Sequence, residues 1–210
     1  MPSIIQADQL KSADGLTTYL NSGTLSNLTF PTKALVSGNT NSGGHILQVQ
    51  QKVKTNEFST ASTHGVFTSV TGLDLKITPI SDSSKILITY HVCVASEAGD
   101  HTGVATALSR GIGGVGVSNL SGAVGTSAGG TQKNVTTSTS HHSEDANGAN
   151  PMHSMTYLDS PNTTSEIVYQ PAVYNASGAN FIVYVNRNTN DGNYEYVTKS
   201  ISTITAMEIA

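Results

Sequence analysis

The feature that most constrains this chain is the period of two in its apolar residues, which recurs in short stretches from Ile46 to the end of the sequence. Apolar residues that alternate with polar ones over about four to eight positions are typical of β-strands with one buried face. Turn residues separate the stretches, and no long helical pattern lies between them. The sequence therefore predicts an all-β fold, an antiparallel β-sandwich that is jelly-roll-like, with roughly eight or nine strands.

Residues 85–95 are the most apolar of the predicted strands. Every second residue from Ile86 to Val94 is apolar or aromatic, which predicts an inward face. The opposite face is only half polar and includes Cys93, the single cysteine of the chain. We therefore expect a central strand that is covered on both sides, with Cys93 as a buried and inert thiol. Residues 200–210 alternate in the same way and predict an ordered final strand.

Residues 1–44 differ in pattern from the remainder. The spacing of Leu10, Leu16 and Leu20 favours a short helix, and the Gly-, Ser- and Asn-rich residues 37–44 are typical of a linker. A segment of this size buries little surface on its own. We therefore predict an N-terminal anchoring arm and linker over residues 1–44, which folds against a partner, and a β-sandwich head domain over residues 45–210.

Residues 111–150 are rich in Gly, Ser, Thr and Asn and have little periodicity, which predicts long loops. Long loops in compact domains are commonly functional, so we expect surface contacts here. Gly111, Gly113 and Gly116 fit the Gly-x-Gly-x-x-Gly pattern of dinucleotide sites, but that pattern requires a helix to follow. Residues 117–125 are a poor helix. The sequence thus predicts a mobile glycine loop and no bound cofactor.

The charge content and the length of the apolar runs argue against two classes of partner, nucleic acids and membranes. Charged residues are 11% of the chain and the net charge is −4, against roughly 25% charged residues in an ordinary soluble domain. Nucleic-acid binding needs clustered Lys and Arg, whereas the ten basic residues are scattered. No apolar run approaches the roughly 20 residues of a membrane-spanning helix. We expect no nucleic-acid binding, no membrane insertion and a neutral, hydroxyl-rich surface.

The best metal-ligand candidates are His141 and His142, which precede two carboxylates, and the nearby His153. Zinc binds imidazole and carboxylate groups, so the ligand types are present. Neighbouring residues of a strand point to opposite faces, however, and no further pair completes a ligand set. The spacing favours solvated or interface histidines, and it leaves open a metal shared between subunits on a threefold axis.

The best candidates for surface recognition are Tyr194 and Tyr196, which follow a Gly-Asn turn. Tyrosine beside Asn and Ser gives apolar contact area at low entropic cost together with hydrogen bonding. Most other tyrosines are expected to pack across strands. No nucleophile elbow is present in the sequence, and the 14 acidic residues show no cluster among Trp and Tyr residues of the kind that line a hydrolase cleft. The chain is therefore not expected to be an enzyme.

Several short sequence segments resemble modules of tailed-phage fibre and virion appendage proteins, notably those of marine and cyanobacterial phages. Two of them are Leu158-Asp-Ser-Pro161 and Ser202-Thr-Ile-Thr-Ala-Met-Glu208, and the others are residues 44–49, 58–63, 72–79 and 84–88. The resemblance spans residues 44–210, with 111–150 as the most divergent part. It carries no residue-level site motif.

The resemblance implies a virion protein, assembled in the host cytoplasm. Fibre proteins of this kind are typically homotrimers whose N-terminal arm docks on other phage structural proteins, while the β head faces outward toward a host surface glycan. The first hypothesis is therefore a tail-fibre or receptor-binding subunit. The second is a head fibre or capsid decoration protein, which the shortness of the chain favours. The third, a carbohydrate-active enzyme, needs paired carboxylates in a groove.

Overall fold

The structure, a computed structural model, describes residues 44–62, 65–96, 102–127, 129–141, 150–176, 181–195 and 197–210, together with strand residues 9–11, 18–21 and 24–25. The chain divides into two compact units, Met1–Gly43 and Gly44–Ala210. Each unit is described by itself. In the part of the chain with described coordinates, no helix has the length and apolar character needed to cross a membrane.

The first unit contains a small antiparallel sheet in the order β1-β2-β3. Its strands are β1 (Gln9–Lys11), β2 (Thr18–Asn21) and β3 (Thr24–Leu25). Leu10 pairs with Leu20, and Leu20 pairs with Leu25. The helix predicted from the spacing of Leu10 and Leu20 is therefore wrong, because both residues lie in paired strands. The anchoring role of this segment stays a prediction.

The second unit consists of two antiparallel sheets of six strands each. Sheet I contains β4 (Ile46–Lys54), β5 (Phe58–Ser62), β8 (Lys85–Ser96), β12 (Met152–Asp159), β14 (Phe181–Val185) and β15 (Ser202–Ile209). Sheet II contains β6 (Phe67–Ser69), β7 (Leu75–Ile77), β9 (Thr102–Ile112), β10 (Ser118–Asn119), β11 (Thr137–His141) and β13 (Ile167–Asn175). A 3-10 turn, Ser121–Ala123, lies between β10 and β11.

Each sheet has four positions at which strands lie side by side. Four of these eight positions are each occupied by two strands placed end to end. Along one edge of β8, β14 pairs with its last residues and β15 with its first, so that β14 and β15 occupy one position. The pairs β4/β5, β6/β7 and β10/β11 are arranged in the same way. Numbered along the chain, the resulting positions have the order 1-8-3-6 in sheet I and 2-7-4-5 in sheet II. This is the strand order of a jelly roll, which confirms the predicted fold class.

The core lies between the two sheets and consists mainly of apolar side chains. β8 contributes its predicted inward face, which is fully buried: Ile86, Ile88, Tyr90, Val92 and Val94. β9 and β13 of sheet II supply the opposing side chains, among them Leu108, Ile167 and Val173. β8 is central, as predicted, because β12 pairs with one of its edges and β14 and β15 with the other.

The outer face of β8 is covered only at its C-terminal end. Cys93 and Ala95 are buried, and Cys93 is a free thiol as expected. Leu87 and Thr89 are partly exposed and His91 is exposed. The expectation that both faces of β8 are covered is thus wrong for its first half, because the outward side chains of this half are partly or fully exposed.

The edge strand β4 alternates as predicted, but its apolar face points to solvent. Leu47 and Val49 are 40% and 52% exposed. The polar face is turned toward sheet II, where Gln48 Nε2 donates to the carbonyl of Thr78 at 2.8 Å. Lys52 Nζ donates to the Asp74 carbonyl at 3.0 Å and pairs with its carboxylate. These polar bonds close the edge of the sandwich and leave the apolar residues outside.

Residues 111–150 are not simply loops. β10 and β11 lie within this segment and both pair with β9 of sheet II. Thr137 pairs with Thr106, and Asn119 pairs with Ser109. The prediction of loops is therefore wrong for these strands, while residues 142–149 lie outside the described residues.

Candidate functional site

The chain leaves sheet I between β14 and β15 through an excursion loop, residues 187–201. The loop begins after Asn186, a buried residue whose φ of 66° lies in the left-handed region. Its Nδ2 donates to the carbonyls of Lys54 and Asn56 at 2.9 and 3.1 Å, and its Oδ1 accepts from Ser202 Oγ at 2.5 Å. Because these bonds join three chain segments, Asn186 fixes both ends of the excursion loop.

Charged residues close the base of the excursion loop. Arg187 and Lys199 form an isolated β-bridge, and Lys199 Nζ bonds to Asp191 and, at 2.5 Å, to Glu57 Oε1. Arg187 Nη1 lies within 3.7 Å of both carboxylates, and its guanidinium carbon lies 4.5 Å from the centre of the Tyr184 ring. The hydrogen bond from Lys199 lowers the pKa of Asp191, and the same bond raises the pKa of Lys199. The carboxylates therefore already have cationic partners.

Tyr194 lies on this loop and is 56% exposed. Its amide donates to the Gly192 carbonyl at 3.0 Å, and Gly192 in turn donates to Asn190 Oδ1 at 3.0 Å. A Cβ at position 192 would stand only 2.4 Å from the Tyr194 ring, so any larger residue there would displace the ring from this position. Tyr196 lies outside the described residues. The recognition role of both tyrosines stays a prediction.

The histidine candidates were expected to be solvated or at an interface, but His153 lies in the protein interior. His153 is buried in β12, with Nδ1 2.7 Å from Thr137 Oγ1 and Nε2 3.0 Å from Thr139 Oγ1. Both ring nitrogens thus face hydroxyl groups. His141 is the last residue of β11, and His142 lies outside the described residues. Within the described ranges, no three His, Cys, Asp or Glu side chains are grouped closely enough to hold a metal ion, and the metal site stays a prediction.

A chain of hydroxyl groups extends the His153 contacts across the sandwich. Thr137 Oγ1 lies 2.7 Å from Thr106 Oγ1, which lies 2.7 Å from the hydroxyl of Tyr90. Burial raises the pKa of Tyr90 above its ordinary value. These hydrogen-bonded hydroxyl groups join Tyr90 and His153 of sheet I to the threonines of sheet II. No sequence pattern indicates these bonds, because inward and surface threonines look the same in a sequence.

An ionic cluster joins the sheets a second time. Arg110 Nη1 donates to both oxygens of Asp159, at 2.8 and 2.7 Å, and the Tyr169 hydroxyl donates to Asp159 Oδ2 at 2.6 Å. Asp159 ends β12 of sheet I, whereas Arg110 and Tyr169 belong to β9 and β13 of sheet II. Burial and the hydrogen bond to Asp159 raise the pKa of Tyr169, so the phenol keeps its proton and acts as a donor.

A second buried carboxylate, Glu208 of β15, anchors the turn before β8. It is fully buried and accepts hydrogen bonds from Gln48 Nε2 and from the amide of Ile80, both at 2.7 Å. Burial alone would raise the pKa of Glu208, but the hydrogen bonds outweigh it and lower the pKa below its ordinary value of 4.5. The ionised form is therefore the one that the fold stabilises.

We expect the stability contributed by Glu208 to be complete above pH 4.5 and to be lost as the pH falls through the lower pKa of the folded state. Substitution Glu208→Gln removes this titration, so the free energy of unfolding of the variant should decline less steeply over the same acidic range. Urea unfolding of both proteins from neutral pH down to acid measures the difference. Parallel pH profiles for the two proteins would contradict the prediction.

Two further surface features are the glycine turn after β9 and a pair of cavities. Gly113 and Gly114 have φ of 63° and 81° in the turn after β9, and Gly113 N donates to the Glu166 carbonyl at 2.9 Å. Two shallow cavities of about 370 and 360 Å³ adjoin residues 131–135, and both are lined by Lys133 and Val135. The turn leads into β10, which pairs with β9, so the glycines lie in a turn between two paired strands.

Comparison with known proteins places few limits on the chain. No family model matches it, and no curated protein is significantly similar. Among solved structures, it is similar to the infectious bursal disease virus VP2 subviral particle, with 10% identity and a TM-score of 0.33 over 77% of this chain and 39% of that chain. A structure of the Gx strain of that virus gives 11% identity and a TM-score of 0.31 over 79% and 37%. The chain thus spans less than half the length of these proteins, and similarity at this level identifies neither a family nor an activity.

Proposed function

We propose that this chain is a structural protein of a bacteriophage particle, a homotrimeric fibre subunit that attaches through residues 1–44 and exposes residues 45–210 as a β head. The observation that carries the proposal is the jelly-roll order of sheets I and II, an architecture that viral capsid and lectin domains use. A fold by itself does not define a function. The phage-fibre resemblance of residues 44–210 adds the second support.

The buried polar groups favour a structural role over a catalytic one. Asp159 binds Arg110 and Tyr169, and His153 binds two threonines, so each is committed to joining the sheets. Polar groups held this way fix the two sheets against each other and suit a head that must stay rigid on a particle. On this proposal Tyr194, exposed on the excursion loop, is the contact for a host surface glycan.

A head fibre or capsid decoration protein is the second candidate. Nearly all described residues of the second unit belong to one jelly-roll sandwich, and no extended shaft occurs in the described ranges. Fibres that reach a distant receptor need such a shaft, whereas a protein that binds to the surface of the capsid does not. Both candidates place the chain on the particle, and they differ in the protein on which the arm docks.

We expect a chain that lacks residues 1–44 to keep the β-type circular dichroism of the intact protein but to be lost from purified particles. The physical reason is that the head has its own core, whereas attachment is assigned to the arm. Quantitative mass spectrometry of particles from both strains measures incorporation. Density for the intact protein in a cryo-EM map, on the tail or on the capsid, distinguishes the two candidates, and undiminished incorporation of the truncated chain contradicts the role of the arm.

A further inference from the structure

An apolar row crosses the outer face of sheet I in strict register. Val49 of β4 pairs with Met207 of β15, Met207 pairs with Leu87 of β8, and Leu87 pairs with Leu158 of β12. Directly paired residues of an antiparallel sheet lie on the same face. Val49 and Leu158 are 52% and 44% exposed, and the other two are partly exposed. The row therefore forms a continuous apolar band that spans all four strand positions of the sheet.

On one side of this band the next two rows carry no formal charge, whereas the row on its other side contains the exposed Lys85, which pairs with Ile209. The next paired row contains Gln51 and three threonines, and the one after it contains Val53, another threonine, His91 and a serine. Their side chains bond to one another: Gln51 Nε2 donates to Thr205 Oγ1 at 3.0 Å, and His91 Nδ1 lies 2.8 Å from Ser154 Oγ. The apolar band and these two rows are called the neutral face.

The β4 part of the neutral face is exposed because polar side chains on the opposite face of β4 are bonded to the edge of the sandwich. Its Gln48 and Lys52 side chains turn inward to bond at the edge of the sandwich, and this fixes Val49 and its outward neighbours toward solvent. Contiguous apolar surface of this kind on a soluble protein commonly marks an interaction site. The alternative register would bury Val49 but would remove the edge bonds of both polar residues.

We propose that the neutral face is the surface through which copies of this chain pack against each other, which assigns an interface to the homotrimer of the proposed function and rests on it. Each chain carries a net charge of −4, so identical copies approach each other best through a surface without charge. Hydroxyl, amide and imidazole groups each offer a donor and an acceptor, so one part of this face can bond to another part of the same face on a neighbouring copy around a threefold axis. An acidic or basic partner would find no complementary charge on this face.

The test is the oligomeric state of the intact chain in solution. Substitutions Val49→Lys and Leu158→Lys each place a charge in the band at an exposed position, where folding tolerates it but a symmetric interface does not. Light scattering after size-exclusion chromatography should give three times 21.8 kDa for the wild type and 21.8 kDa for either variant. The matched control is Val115→Lys, since Val115 is 72% exposed in the turn after β9 of the other sheet, and this variant should remain a trimer.

Circular dichroism and thermal unfolding establish that each variant is folded before its mass is interpreted. A wild-type oligomer that persists in both Val49→Lys and Leu158→Lys overturns the assignment of this face while leaving the homotrimer of the proposed function intact. A monomeric wild type overturns both the assignment and the homotrimer, and leaves the face to another protein of the particle. Loss of the oligomer in Val115→Lys as well would show that any added charge disrupts assembly, and would equally overturn the assignment.

Discussion

Replacement of Asp159 by alanine is expected to lower the free energy of unfolding by about 3 kcal/mol, the lower end of the range for a broken buried ion pair. The side chain of Asp159 is 5% exposed and that of its partner Arg110 is 25% exposed. Arg110 can therefore recover part of its hydration when the carboxylate is removed. The fully buried Tyr169 hydroxyl cannot, because its acceptor at 2.6 Å is lost. Urea unfolding at neutral pH measures the difference.

The matched control for Asp159 is Glu166→Ala, which breaks the pair between Lys76 and Glu166 at 2.8 Å. Both of these side chains are exposed, so the expected loss is below about 1 kcal/mol. Asp159→Asn keeps the shape and one acceptor for Tyr169, and should fall between the two. Equal losses for Asp159→Ala and Glu166→Ala would mean that the buried cluster does not tie the sheets together.

The strands were predictable because one buried face imposes a period of two. The predicted strand over residues 46–54 has the same bounds as β4, and the one over 85–95 differs from β8 by one residue. Strand partners were not predictable, since alternation records which face is buried but not what pairs at the edge. The pairing of β8 with both β12 and β15 joins segments that are far apart in sequence.

β11 escaped prediction for a chemical reason. Its inward residues include Thr137 and Thr139, which bond to the ring of His153 instead of packing as apolar side chains. The strand therefore lacks the apolar alternation by which strands are recognised. The inverted faces of β4 are a related case, because Lys52 reaches Asp74 across the edge of the sandwich and a hydrophobicity pattern does not register that bond.

The candidate site was predictable only in part. Tyr194 is exposed, as a recognition residue must be, and its turn follows from the Gly and Asn residues before it. The importance of Asn186 was hidden, because asparagine is common in this chain and its bonding partners, Lys54 and Ser202, are distant in sequence. A residue whose role is to satisfy buried backbone groups has no sequence pattern of its own.

Substitution Asn186→Ala is expected to cost roughly 2–6 kcal/mol of folding free energy, because it leaves two buried polar groups without partners at about 1–3 kcal/mol each. The buried carbonyl of Lys54 loses its donor and the buried Ser202 Oγ loses its acceptor, while the partly buried bond to the Asn56 carbonyl is lost as well. The φ of 66° adds a smaller cost for alanine, on the order of 1 kcal/mol. Because Asn186 fixes both ends of the excursion loop, limited proteolysis should also cut the loop that carries Tyr194 faster in the variant.

Two further variants separate the hydrogen bonds of Asn186 from its backbone conformation. Asn186→Gly relieves the left-handed φ but removes the same bonds, so it should recover only about 1 kcal/mol relative to Asn186→Ala. Asn162 also has a positive φ, of 51°, but is exposed, and Asn162→Ala should therefore cost only the backbone term. If Asn162→Ala proved as destabilising as Asn186→Ala, strain alone would explain both losses, and the bonds from Asn186 to Lys54, Asn56 and Ser202 would not be what holds the excursion loop on the sheet.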